Sequence, residues 1–336
     1  MRLRDISALA FFNPLSGNQS ALNPTGPDAT RVAHLWLIIL IIAIAVFVLV
    51  WIALFYGIAR RHNGDADPAT PILDTAASDR ISTRVVSIAA AITIVTLFFV
   101  LISSVLAGRI TSEPVGNQEH VAITVIGHQW WWEVQYPNTE ADRTVITANE
   151  IHIPVGVPVE ITTASRDVIH SFWVPNLTGK HDLIPGYNTA FWLRADRAGD
   201  YRGQCAEFCG LQHAEMGFHL IAESPEKFQA WEDDQLRPGA TPVTAQEQRG
   251  QRVFVRSECM MCHAIGGTIA GSRLGPDLTH LASRQTIAAA TVPNNIGNLA
   301  GWVIDPQHIK PGTLMPPNEL SSGDMNDLLS YLQSLK

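Results

Sequence analysis

Cys205-Ala-Glu-Phe-Cys209-Gly-Leu-Gln-His213-Ala-Glu-Met216 places two thiols, an imidazole and a thioether in one loop-sized stretch. The three-residue gap lets both sulfurs of a loop point into one space, where two thiolates can bridge a pair of metal ions; a single ion would need only one. Soft sulfur and imidazole donors select copper over the hard cations. Structural zinc is the alternative, but the two-residue cysteine spacing usual for zinc is absent and the methionine would have no role. A further imidazole must come from elsewhere. His170, within Asp167-Val-Ile-His-Ser-Phe-Trp-Val-Pro175 and at the end of an expected strand, is the candidate.

The surroundings of this loop read as β-structure. Between residues 119 and 222, runs rich in β-branched and aromatic residues (Val121–Ile126, Trp130–Val134, Val157–Thr163, Thr189–Leu193, Phe218–Ala222) alternate with turn formers such as Pro137-Asn138 and Pro185-Gly186. The spacing predicts an antiparallel all-β barrel or sandwich of roughly 100 residues. His128, His152, His181 and His219 fall within it as packing or surface histidines.

Downstream, residues 223–243 read as a short helix and a Pro/Gly linker, and residues 244–336 as a small all-α unit. Thr244-Ala-Gln-Glu247 predicts a capping box opening a helix that runs into Cys259, and Ser321-Ser-Gly-Asp324 opens a closing helix. Cys259-Met-Met-Cys262-His263 is the attachment signal of a c-type haem, with thioether bonds at Cys259 and Cys262 and His263 reaching the iron. These two motifs use all four cysteines, so none remains for a disulfide.

Upstream, Leu35–Ala59 and Val85–Ala107 carry no charge, and each exceeds the ~20 residues that cross a bilayer as helix. They predict a transmembrane hairpin over residues 35–109, preceded by a polar, loosely structured tail, residues 1–34. No cleaved signal is expected, since the apolar run Ile6–Phe12 is short. The connector holds Arg60, Arg61, Arg80 and Arg84, which assigns it to the cytoplasmic face and puts both termini outside. Haem attachment, normally completed outside the bacterial cytoplasm, agrees with that. A net charge of −8 without any basic run argues against a nucleic-acid partner.

Asp167-Val-Ile-His-Ser-Phe-Trp-Val-Pro175, Ile184-Pro-Gly186, Gly203-Gln204, Gly127-His-Gln-Trp-Trp-Trp132 and the Cys205–Met216 string resemble subunit II of the haem-copper oxidases that carry the dinuclear copper centre CuA. The resemblance spans residues 35–235. It implies a two-helix hairpin and a cupredoxin-like barrel, with Cys205 and Cys209 bridging both coppers, His170 and Met216 completing one, and His213 with the Glu207 carbonyl completing the other. It further implies magnesium at the Glu207 side chain where subunit I docks, and electrons entering near Trp130.

Gly275-Pro-Asp-Leu278 and Pro311-Gly-Thr-Leu-Met315-Pro-Pro317 resemble class I cytochromes c, which makes Met315 the second axial ligand of haem c; Met325, His280 and His308 are its rivals. A copper subunit with a fused cytochrome domain resembles the caa-type oxidases. The implied role is to carry electrons from an external cytochrome c or other donor, through haem and copper, to subunit I, which reduces oxygen with proton translocation. Subunit III is a further implied partner, and the bacterial inner membrane the implied location. An equivalent subunit of a nitric oxide reductase and a free-standing tethered carrier are the alternatives. The acid that the family carries at the start of the second span is missing from Ile81-Ser-Thr-Arg84, with Asp79 the nearest, so that role is not carried over.

Overall fold

The computed structural model describes residues 17–62, 76–111, 119–138 and 143–336; the first part of the tail and most of the connector, with Asp79's side chain, lie outside the described residues. The chain divides into two units, Arg31–Glu113 and the remainder, Met1–Thr30 with Pro114–Lys336.

The first unit is made of two long helices, α1 (Pro27–His62), whose first turn belongs to the other unit, and α2 (Ala76–Thr111). Pro27 and Asp28 in the first turn of α1 suit a helix start, where a missing N–H costs nothing and an acid meets the positive dipole end. Both helices run beyond the uncharged stretches, because backbone hydrogen bonding does not stop where hydropathy does. Apolar side chains such as Phe47, Leu49, Val86 and Val95 are exposed along them. The apolar windows Pro27–Ala59 and Arg80–Gly108 have mean hydropathies of 3.5 and 2.8, and both are long enough to cross a bilayer.

In the second unit, ten strands build two five-stranded sheets: β1 (Val121–His128), β2 (Trp131–Tyr136), β3 (Val145–Ala148), β4 (Glu150–Pro154), β5 (Val159–Ser165), β6 (His170–Trp173), β7 (His181–Leu183), β8 (Thr189–Leu193), β9 (Gly199–Cys205) and β10 (Gly217–Glu223). Their orders are β3-β2-β1-β5-β8 and β4-β10-β9-β6-β7. The sheets are not wholly antiparallel as the sequence predicts: β1 pairs parallel with β5, and β10 with β4. Each parallel pair joins strands distant in sequence, which turn signals between neighbours cannot reveal. Alternating residues such as Ile123, Val125, Ile151, Ile153 and Ile161 fill the space between the sheets, around Trp132, Phe172 and Phe218. The rings of Trp132 and Phe172 lie 5.3 Å and 4.8 Å from that of Phe218.

From Gly17 the polar tail is not loose. Asn176, fully buried, donates to the Gly17 and Asn23 carbonyls at 3.1 and 2.9 Å and accepts from the Ser20 amide at 3.1 Å. Arg202 N donates to Asn18 O at 2.9 Å. A polar, proline-rich segment can dock where a buried amide satisfies its main chain.

A third helix, α3 (Pro225–Gln235), is capped by Ser224 and packs on the barrel through Phe228 and Trp231. Then come α4 (Ala245–Arg256), a two-stranded ribbon of β11 (Thr286–Ile287) and β12 (Val292–Pro293), α5 (Ile296–Ile304), α6 (Pro306–Ile309) and α7 (Ser322–Ser334). Thr244 and Glu247 form the expected capping box of α4. That helix ends at Arg256 rather than running into Cys259: Glu258 has a left-handed φ of 63°, and Cys259–Met261 form a separate 3-10 turn. Val253 and Phe254 of α4 meet Leu328, Leu329, Tyr331 and Leu332 of α7 in the core. The linker is fastened to this domain, with Gly239 N donating to Gly266 O at 2.9 Å and His280 Nε2 to Arg237 O at 3.2 Å.

Candidate metal centres

β6 begins at His170, β9 ends at Cys205, and the loop between β9 and β10 carries the other donors, so two strand ends and one loop converge. His170 thus opens a strand rather than closing one. The Cys205 and Cys209 sulfurs lie 3.7 Å apart. His170 Nδ1 is 3.9 Å from Cys205 Sγ, His213 Nδ1 is 3.6 Å and Met216 Sδ 3.8 Å from Cys209 Sγ, and the Glu207 carbonyl lies 3.2 Å from Cys205 Sγ. His170, Cys205, Cys209 and Met216 are buried, whereas the Glu207 side chain is exposed. This donor set fits copper: two soft sulfurs at the centre, with imidazole and thioether at the edge.

Several groups hold these donors in place. His170 Nε2 donates to Asp167 Oδ1 at 2.7 Å, which leaves Nδ1 facing Cys205. Burial opposes charge on His170, but the hydrogen bonds to Asp167 and Cys205 outweigh it and pull its pKa up. Burial likewise opposes charge on Asp167, yet the bond from His170 and the amides of Val168 and Gln129 keep its pKa below the usual carboxylate range. The adjacent Cys209 thiol, and then His170, favour the Cys205 thiolate, while a second negative charge beside it is resisted at Cys209. A cation bound between them would remove that repulsion. Gly127 makes room for the imidazole, because a Cβ there would lie 2.7 Å from His170 Cδ2. Trp130 is buried, and its Nε1 and the Gln129 side chain donate to Cys209 O at 2.9 and 2.8 Å.

In the second domain, His263 Nδ1 donates to Pro276 O at 2.7 Å, the tautomer that leaves Nε2 for a metal, and burial lowers its pKa, favouring the neutral ring. Gly275 makes room here too, since a Cβ would lie 2.7 Å from His263 Cε1. Cys259 is half-buried and Cys262 exposed. Met315 lies on a loop strapped by Gln307, whose Nε2 donates to Thr313 O and Met315 O at 2.7 and 3.0 Å and whose Oε1 accepts from Gly312 N. Met261, Leu274 and Leu314, chain neighbours of these groups, present apolar side chains at the surface, as a porphyrin requires. Met260, by contrast, packs against the core. The rivals of Met315 are otherwise engaged or placed: Met325 is buried in the helical core, His280 is bound to the linker and His308 is exposed.

Asp167, Gly127 and Gln307 are the supporting residues that the sequence did not single out. Asp167 carries a signal, an acid three residues before the candidate ligand; Gln307 carries none. The four histidines set aside as packing residues behave as such: His181 stacks on Phe191 at 3.6 Å, and His152, paired with Glu223, stacks on Trp231 at 4.2 Å.

The family model for the periplasmic domain of cytochrome c oxidase subunit II matches residues 138–223, and that for cytochrome c matches residues 247–336. Cytochrome c oxidase subunit 2 of Alkalihalophilus pseudofirmus is 36% identical over 324 residues, covering 95% of this chain and 91% of that protein. Its counterpart in Bacillus subtilis is 31% identical over 230 residues, covering 65% of this chain and 63% of that protein. Among solved structures, the periplasmic domain of subunit II of cytochrome oxidase from Bradyrhizobium japonicum is 27% identical, covers 35% of this chain and 94% of its own, and has a TM-score of 0.33.

Proposed function

The chain belongs to the cytochrome c oxidase subunit 2 family, and from that premise we propose that it takes electrons from an external donor at haem c and passes them through a dinuclear copper centre to subunit I. In coarser terms it is an electron-transfer subunit of a terminal oxidase, an inner-membrane protein with a periplasmic domain. It acts with subunit I and carries copper in its first outer domain and haem in its second.

The copper ligands proposed are His170, Cys205, Cys209, His213, Met216 and the Glu207 carbonyl; those of the haem are Cys259, Cys262, His263 and Met315. The observation that carries the copper reading is the pair of sulfurs 3.7 Å apart, ringed by two imidazoles and a thioether within 3.9 Å. When bound, both groups supply reversible one-electron chemistry. The chain supplies the rest. The barrel excludes water from the sulfurs, Asp167 and the Pro276 carbonyl each fix one imidazole, and Gln307 holds the Met315 loop. Trp130 ties the surface where electrons would enter to the Cys209 carbonyl. The exposed Glu207 carboxylate is proposed to meet magnesium where subunit I docks, with subunit III a further neighbour. Both termini are proposed to lie outside, with the arginine-bearing connector in the cytoplasm.

Metal analysis and paramagnetic resonance of the purified oxidase test this reading. A mixed-valence copper pair and a low-spin c-type haem are expected in this subunit. Zinc, or a single copper with one thiolate, would overturn it.

A further inference from the structure

The copper and cytochrome domains meet around a buried charge. Lys310 follows α6 and begins the loop that leads to Met315, and only 2% of it is exposed. An ammonium taken out of water is costly unless each of its three protons finds an acceptor. Here each does: Nζ donates to Trp130 O at 3.0 Å, Glu215 O at 2.8 Å and Ala288 O at 3.2 Å. The first two acceptors belong to the copper domain. Burial draws the lysine's pKa down to about 8 against the pull of Glu215 and Cys209, so the group keeps its charge near neutral pH.

The third acceptor opens an unusual stretch of backbone. Ala288, Ala289 and Ala290 have φ values of 55°, 58° and 58°, in the left-handed region where a side chain clashes with its own main chain. Strain of this kind persists where the surroundings impose it. The three successive carbonyls are all used at the seam. Ala288 O accepts from Lys310, Ala289 O from the Gly217 amide at 3.1 Å, and Ala290 O from Arg202 Nη1 at 3.0 Å. The Thr291 hydroxyl donates to Ala288 O at 2.6 Å, within the turn, with Glu215 O 3.3 Å away, and the Gln212 side chain donates to Pro311 O across the seam. The copper-domain partners Gln212, Glu215 and Gly217 interleave with His213 and Met216.

We propose that Lys310 and the left-handed Ala288–Ala290 turn form a clasp that positions the cytochrome domain on the Glu215–Gly217 segment and thereby sets the approach of the Met315 loop to the Cys209–Met216 loop. The electron-transfer consequence rests on the haem-to-copper path proposed above; the docking itself does not. The clasp explains how two domains joined through a linker keep one mutual geometry.

The test uses the full-length oxidase as wild type, K310M and A289V, with two readouts: the rate of haem-to-copper transfer after photoreduction of the haem, and hydrogen exchange at the Gly217 amide. K310M removes the charge and keeps the stem; A289V leaves Lys310 in place but puts a β-branched residue at positive φ, so it reads the clasp should K310M fail to assemble. Both variants are expected to slow the transfer about tenfold and to speed Gly217 exchange by about tenfold, with the spectra and midpoint potentials of both centres unchanged. Values within about twofold of wild type on both readouts, in either variant, would overturn the clasp. A wild type that shows no haem-to-copper transfer, while Gly217 exchange still follows the variants, would remove the path and leave the clasp standing.

Discussion

The two candidate centres are built in opposite ways. The copper donors hang on a sandwich with a large aromatic and aliphatic core: Trp132, Phe172 and Phe218 pack against one another, and Cys205, Cys209 and Met216 only extend that core. The haem donors sit in a domain of short helices with long irregular connections, where Met261, Leu274 and Leu314 are exposed beside the residues meant to hold the ring. The first domain is a scaffold that holds a metal; the second is a wrapping that takes a large apolar group as part of its core. Metal or cofactor removal should therefore act very differently on the two.

The largest effect is expected from losing covalent haem attachment. Replacing both Cys259 and Cys262 with alanine should abolish the cooperative folding of residues 244–336, seen as loss of helical circular dichroism and rapid proteolysis beyond the linker. The copper spectrum of the first domain should survive. Stripping copper by chelation, in contrast, should leave the β-sheet signal intact. The comparison breaks if copper removal unfolds the barrel, or if the double variant retains a protease-resistant cytochrome domain.

A matched pair of glycines sharpens the point. An added Cβ at Gly127 meets His170 and one at Gly275 meets His263, both at 2.7 Å. His170 is fully buried between β1 and the sulfurs and has nowhere to go, so Gly127→Ala should cost about 1–3 kcal/mol and displace the imidazole from the copper site. His263 lies in a half-open setting, so Gly275→Ala should be absorbed by a shift of its loop, with a smaller loss of stability and a changed haem potential. Denaturant melts with copper and haem absorbance as separate probes would check this. Equal costs at both sites would show that the second domain is as rigid as the first.

The same contrast explains what was legible in the sequence. The candidate ligands stood out because redox-metal chemistry leaves little choice of side chain, and the two uncharged stretches because lipid leaves little choice of composition. Strand β9 was hidden, because Gly199–Cys205 carries charge and glycine in place of apolar alternation, and β4 because Glu150–Pro154 alternates only over Ile151 and Ile153, between a glutamate and a proline. The parallel pairings of β1 with β5 and β10 with β4 depend on residues far apart in the chain. Asn176 gives no sign that it would anchor the tail, nor Lys310 that it would be buried, because each finds most of its partners in segments far away in the chain. Side chains that meet a cofactor announce themselves by type, whereas those that meet another part of the same chain do so only through tertiary contact.

The smallest effect expected concerns how far the two domains melt as one. The capping box at Thr244 satisfies the first amides of α4, and its loss in Thr244→Ala should cost about 1 kcal/mol. In a domain of this size that lowers the melting temperature by roughly 4–8 °C. Haem absorbance should register the shift, while the copper band keeps its wild-type midpoint, because the barrel's core contains none of the residues that α4 buries. Equal shifts in the two signals would mean that the seam at Lys310 couples the domains into one cooperative unit, and the division into scaffold and wrapping would then hold for composition but not for energetics.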